Sequence, residues 1–244
     1  MLEKNVIEPT TKPIETVEPL ERAKGFWENY SKQIVYIGSA IIILIAAWYI
    51  YKNFVVAPKE TKASELMFPA ENLFAKMATG NFSKDSVNIA LNGGDLNGKK
   101  VTGLLKIASQ YGGTAAGNRA NFMIGASYLH IGEFAKALTY LKDFDGNGAT
   151  QVQSKAYLLM GHAYAEQKKT AEALTNYKKA ASVNSKDEFF AADALLIAAA
   201  YAESIGDTKE AISIYRELTE KYPSNMAVQN GEVEKNLARL GEFE

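Results

Sequence analysis

Residues 125–137 read GASYLHIGEFAKA, and residues 161–173 read GHAYAEQKKTAEA. The two stretches share Gly, then Tyr three residues on, then Ala nine residues after that, and they lie 36 residues apart. A third stretch, YAESIGDTKEA over 201–211, carries Tyr201, Gly206 and Ala211 with one residue more between Tyr and Ala. Four residues after each Ala stands Leu141, Tyr177 or Tyr215, and Pro223 follows the third unit. Apolar spacing of three and four, broken by Gly or Asn, predicts helices on both sides of each turn. Repetition at this period predicts stacked helical hairpins, because one hairpin cannot bury its own apolar face.

A helix pair packs closely only where its crossing residues are small. Gly125, Gly161, Ala137, Ala173 and Ala211 meet that need, with Tyr128 and Tyr164 filling the space between. The pattern resembles the tetratricopeptide repeat, whose 34-residue period and Gly-Tyr-Ala-aromatic-Pro series it nearly follows. It departs by lacking the first Trp and by spacings of 36 and 38. The implied fold class is all-α: a solenoid of antiparallel helix pairs over 57–244. Before the repeats, Ser64 to Met77 is a helix that starts or kinks at Pro69. Gly98 to Tyr111 reads as another, closed by Gly112 and Gly113. Val228 to Leu240 reads as a final helix capping the last repeat.

From Ile34 to Tyr51 there are 18 consecutive uncharged residues, rich in Ile, Ala and Leu. That length fits a bilayer, and a single transmembrane helix is assigned to 34–56. Trp27 and Trp48 would stand about 31 Å apart on a continuous helix. With Tyr30, Tyr49 and Tyr51 they form the aromatic belts expected at two membrane interfaces. The preceding region is long and acidic and Pro58 follows the run, which predicts an uncleaved anchor and not a signal peptide. Arg22, Lys24 and Lys32 balance Lys52, Lys59 and Lys62, so the positive-inside count ties. Long domains translocate largely regardless of charge, which favours a cytoplasmic N-terminus. Residues 1–33 hold Pro9, Pro13 and Pro19 and read as a disordered tail, or as one with a short surface helix over Leu20–Lys32.

The charge balance, 27 Lys and Arg against 28 Asp and Glu, lacks the basic footprint of nucleic-acid binding. Without cysteine there is no disulfide, thiol nucleophile or Cys-ligated metal. Gly93 to Lys100 (GGDLNGKK) approximates a phosphate loop but has Lys100 where a magnesium-binding Ser or Thr belongs. Asp143 to Ser154 places Asp143, Asp145, Asn147 and Gly148 as in a calcium loop. Its last position is Ser154 instead of a bidentate Glu, and the same residues make good turns. His130 and His162 have no local metal-binding partner in helical register. No nucleophile elbow or carboxylate pair stands out, so the expectation is a non-enzymatic protein without cofactor.

One N-terminal anchor, the segment LNGGDLNGKKVTGLLKIASQYGGTAAGNRA (91–120) and the repeats together resemble the YfgM-type ancillary subunits of the bacterial SecYEG translocon. That resemblance implies a single-pass inner-membrane protein with a periplasmic repeat domain. It also implies two partners, the SecYEG subunits and a membrane-anchored periplasmic chaperone of peptidyl-prolyl isomerase type. In the repeat frame, the groove-facing candidates are Arg119, Phe122, Leu129 and His130, then Lys155, Leu158, His162 and Glu166. Phe122 and Leu158 stand where carboxylate-clamping repeats carry basic residues and Asn. An apolar groove suits an amphipathic helix or an unfolded segment, although such residues equally serve as core. The other reading is an assembly factor for a different envelope complex.

Overall fold

The computed structural model describes residues 19–242, and the chain divides into two units, Met1–Val55 and Val56–Glu244. In the first, helix α1 spans Pro19–Tyr51, and a π-helical turn, Lys52–Val56, follows it. The helix therefore takes in residues 19–33, where a disordered tail was one of two expectations; residues 1–18 lie outside the described part. The apolar side chains of α1 are bare: Ile42, Leu44 and Ile45 are 59–69% exposed. Trp27, Tyr30, Trp48, Tyr49 and Tyr51 are exposed as well, and the Lys52 ammonium lies 5.0 Å from the Trp48 ring centroid. Among the described residues one helical stretch is long and apolar enough to cross a membrane, and none of its apolar window is buried.

The second unit begins with α2 (Ala57–Thr79), with Pro58 in its first turn. The expected start at Pro69 is not seen: the helix starts at Ala57 and runs through that proline. A proline inside a helix costs roughly 3 kcal/mol. Here Ala63, Met67, Ala70, Leu73 and Met77 form one buried stripe whose packing offsets that cost. Helix α3 (Lys84–Asn92) is capped by Ser83, whose hydroxyl accepts from the Ser86 amide.

The next segment departs from the all-helical expectation. Gly93–Leu96 and Lys99–Thr102 form an antiparallel hairpin, β1 and β2, paired Gly93 to Thr102 and Leu96 to Lys99. Asn97 and Gly98 turn it with positive φ, as a two-residue hairpin loop requires, and the Asp95 carboxylate accepts from the Gly98 amide at 2.8 Å. The phosphate-loop-like residues are therefore this hairpin, with no helix following the second glycine. Helix α4 begins only at Leu104 and ends at Tyr111.

Three helix pairs follow: α5 (Ala115–His130) with α6 (Phe134–Asp143), α7 (Thr150–Glu166) with α8 (Thr170–Val183), and α9 (Glu188–Ser204) with α10 (Thr208–Lys221). Their cores adjoin in sequence. One cluster gathers α2 to α5, a second α6 and α7, and a third α8 to α10 with the C-terminal turns. A Cβ on Gly125 would lie 2.5 Å from Leu141 Cγ, and one on Gly161 2.4 Å from Tyr177 Cε1. The two glycines thus let each first helix meet the large residue of its partner helix, as the repeat spacing predicted.

The third pair corrects the sequence alignment. The turn bonds run from Glu133 N to Tyr128 O, Lys169 N to Tyr164 O, and Asp207 N to Ala202 O, each 2.9 Å. Ala202 and not Tyr201 therefore occupies the repeat's tyrosine position, and Ala199 the position of Gly125 and Gly161. Tyr201 instead reaches back to Tyr177, ring centroids 5.3 Å apart. The expected last helix is split into α11 (Met226–Gln229) and α12 (Glu232–Arg239) at Gly231, which has φ +77°. Val233 is buried, and Leu237 and Leu240 pack against the third cluster, so α12 covers the last repeat as a cap.

Candidate partner-binding groove

The start of α5 is fixed from three sides. Thr114 caps it by accepting from the Gly117 amide at 3.0 Å. The Glu60 carboxylate reaches across from α2 and accepts from the Ala115 and Ala116 amides at 2.6 and 3.0 Å. A carboxylate on unpaired amides at a helix N-terminus satisfies donors that the helix cannot and complements its dipole. A Cβ on Gly117 would lie 2.0 Å from the Tyr111 carbonyl oxygen, so α4 and α5 close up only with glycine there. Asn118 exchanges two hydrogen bonds with the backbone of Asp145, tying α5 to the turn after α6. These contacts account for Tyr111, Thr114, Gly117 and Asn118 in the segment YGGTAAGNRA.

With α5 held in this way, α2 lies along its open face. Arg119 meets Glu71 at 3.9 Å near the start of α5. Near its end His130 stacks on Phe82, centroids 3.8 Å apart and planes 10° from parallel. Phe82 in turn packs edge-on against Phe74. Between α2, α5 and α7 remains an open cleft of about 610 Å³. It brings together five of the eight predicted groove residues, Phe122, His130, Lys155, Leu158 and His162, with Phe74, Met77 and Phe82 on the facing wall.

The other three do not line it. Arg119 is outside the lining, paired with Glu71. Leu129 turns toward the cluster of Leu138 and Leu141. Glu166 is exposed beyond the cleft, close enough to act on His162 by charge alone. Sequence reasoning missed Phe74, Met77 and Phe82. The apolar run SELMFPAENLFAKM signals a buried stripe but not the helix it meets.

Burial lowers the pKa of His130, and it lowers that of His162 against a smaller opposing pull from Glu166. Both rings are therefore neutral around pH 7. The Tyr177 hydroxyl lies 2.9 Å from His162 Nδ1, and burial first, then Tyr201 and Glu166, pushes its pKa up to about 12. The cleft thus offers aromatic and aliphatic walls, two neutral imidazoles and the Lys155 ammonium. This arrangement can hold an apolar segment.

The calcium-loop residues are otherwise engaged. Asp145 accepts from the Asn147 amide at 2.9 Å, and buried Ser154 donates to the Ala180 carbonyl at 2.9 Å. Position 12 thus serves the core between α7 and α8. Among the described residues no three His, Asp or Glu side chains are grouped to hold a metal ion.

Family models of the tetratricopeptide repeat match residues 154–187 and 193–225. They coincide with α7–α8 and α9–α10. In α5–α6, outside the matched residues, Gly125 crosses Leu141 as Gly161 crosses Tyr177. No curated protein and no solved structure matches the chain. The molecule is an all-α protein with a long apolar N-terminal helix and a tetratricopeptide-repeat region. Such repeats are scaffolds for protein–protein interaction and are generally non-catalytic.

Proposed function

We propose that this chain is a membrane-tethered scaffold of the SecYEG translocon, one that holds a periplasmic chaperone or an emerging polypeptide beside the translocon exit. Residues 34–56 serve as the transmembrane segment, with a cytoplasmic N-terminus and residues 57–244 in the periplasm of a bacterial inner membrane. The observation that carries the reading is the apolar cleft on Phe122 and Leu158, in a repeat scaffold whose chain also contains a bare apolar helix. Tethering raises the local concentration of the cleft near other membrane proteins, so that a weak contact suffices. A membrane-anchored isomerase-type chaperone is the expected partner on the grounds of the YfgM-type resemblance.

The test is gentle-detergent affinity purification from native membranes, comparing the intact chain with a Phe122→Ala/Leu158→Ala variant of matched melting temperature. Recovery of translocon subunits with both, and of a chaperone only with the intact chain, supports the reading. Recovery of neither translocon nor chaperone overturns it.

A further inference from the structure

The first and second repeats present the same groove positions, but their basic residues are partnered differently. Thirty-six residues separate Arg119 from Lys155 and Phe122 from Leu158, the spacing that relates α5 to α7. Along α5 these positions face the protein's own α2, where Glu71 pairs with Arg119 and Phe74 and Met77 stand three and six residues further on. On α7 the matching Lys155 is exposed and has no carboxylate within ion-pair distance among the described residues. Its ammonium is 5.7 Å from the Phe190 ring centroid, while Leu158 and His162 line the open cleft.

We propose that the cleft on α7 takes an incoming amphipathic helix that repeats the chemistry of α2. It carries an acidic residue that meets Lys155 and, three residues later, an aromatic or Met that enters the cleft between Phe82 and Leu158. This proposal names the partner class for the scaffold reading and rests on it. Two observations select the occupant. Among the described residues no carboxylate lines the cleft, and its one formal charge near pH 7 is the cation Lys155, so an acidic segment is complementary. The chain has also met this position once itself, since Glu71 of α2 pairs with Arg119, the residue that Lys155 repeats 36 positions on, and an apolar helix face in a groove is a recurrent mode of recognition. Asp193, at the matching position of α9, sets the register: the acidic residue lies over α7 and not over α9.

The probe is a fluorescein-labelled peptide of residues 65–83, which carries Glu71, Phe74, Met77 and Phe82, titrated by anisotropy against the full-length protein in lipid nanodiscs. Saturable binding is expected, weakened about tenfold by Leu158→Ala and about three- to tenfold by Lys155→Glu. A peptide with Glu71→Lys should lose affinity for the wild type and regain it on Lys155→Glu, a rescue that loss of fold cannot produce. Absence of binding overturns the proposal. So does binding that depends on Arg119 and ignores Lys155, since the peptide would then be exchanging with the protein's own α2. If the peptide binds as expected and no translocon subunit co-purifies, the assignment to the translocon fails while the acidic-helix site stands. If co-purification is sensitive to Phe122 and Leu158 but the peptide does not bind, the translocon scaffold stands and the acidic-helix site fails.

Discussion

Helices α1 and α9 are both apolar around most of their circumference, and they are built from different residues for different neighbours. In α9 the buried positions are Ala191, Ala192, Ala194, Ala198, Ala199 and Ala202, with Leu195 the only large one among them. Small side chains let α8 and α10 approach closely, so the helix disappears into the third core cluster. In α1 the same kind of run is made of Ile41, Ile42, Ile43, Leu44 and Ile45, every one more than half exposed. Bulky branched side chains that none of the described residues covers suit a lipid solvent, and aromatic residues stand at the ends of the run. Apolarity alone thus does not separate a buried core helix from a bare apolar one. Side-chain size and the presence of neighbours do.

The strongest way to break that contrast is to charge both helices. Replacing Ile42 and Leu44 with Arg adds roughly 5–7 kcal/mol against insertion at the helix centre. The variant is expected to leave the membrane fraction entirely, while residues 57–244 keep the wild-type melting temperature. Retention in carbonate-washed membranes would remove the anchor reading of α1. A milder probe uses size instead of charge. Ala199→Leu overpacks α9 and should cost about 1–3 kcal/mol, whereas Ala200→Leu, on the exposed side of the same helix, should stay within about 0.5 kcal/mol. Ala46→Leu in α1 should leave membrane retention unchanged. Equal thermal shifts for the residue 199 and 200 variants would show that the neighbours of α9 are misassigned.

Gly161→Ala tests the same principle one repeat earlier. Its Cβ meets the buried Tyr177 ring, so a loss of about 1–3 kcal/mol is expected by chemical denaturation. A neutral result would mean that α7 and α8 do not cross there. The smallest effect is on pH dependence. Burial lowers the pKa of both His130 and His162, so the folded chain binds fewer protons than the unfolded one as pH falls below the ordinary histidine value of about 6.5. Stability contributed by the neutral rings is present above that pH and declines below it. Tyr177 acts at the other end: its folded pKa of about 12 exceeds the ordinary 10, so its contribution is present below pH 10 and is lost between 10 and 12. Melting temperatures from pH 5 to 8 should fall toward acid, less so for His162→Gln. From pH 9 to 11.5, Tyr177→Phe should flatten the alkaline decline, and an unchanged alkaline slope in that variant would remove Tyr177 from the account.

The amino-acid order alone determined the apolar run at Ile34–Tyr51, the helix pairs and the crossing of Gly125 and Gly161 with the large residue of the following helix. Each of these is carried by spacing within one helix or one hairpin, where the 3.6-residue period converts position directly into face. Only the tertiary structure decided that α2 lies on α5, that Phe82 stacks on His130, and that Ala202 takes the place sequence spacing assigns to Tyr201. An amphipathic stripe states that a face is covered without saying by what, so SELMFPAENLFAKM could not disclose that it walls the cleft on Leu158. The one-residue shift in the third repeat escaped for a related reason. Tyr201 and Ala202 are both compatible with the local pattern, and the backbone bond from Asp207 to Ala202, which sets the register of α9 against α10, chooses between them. The hairpin at Gly93–Thr102 was hidden by its length, since four-residue strands are too short for alternation to be distinguished from a helical turn.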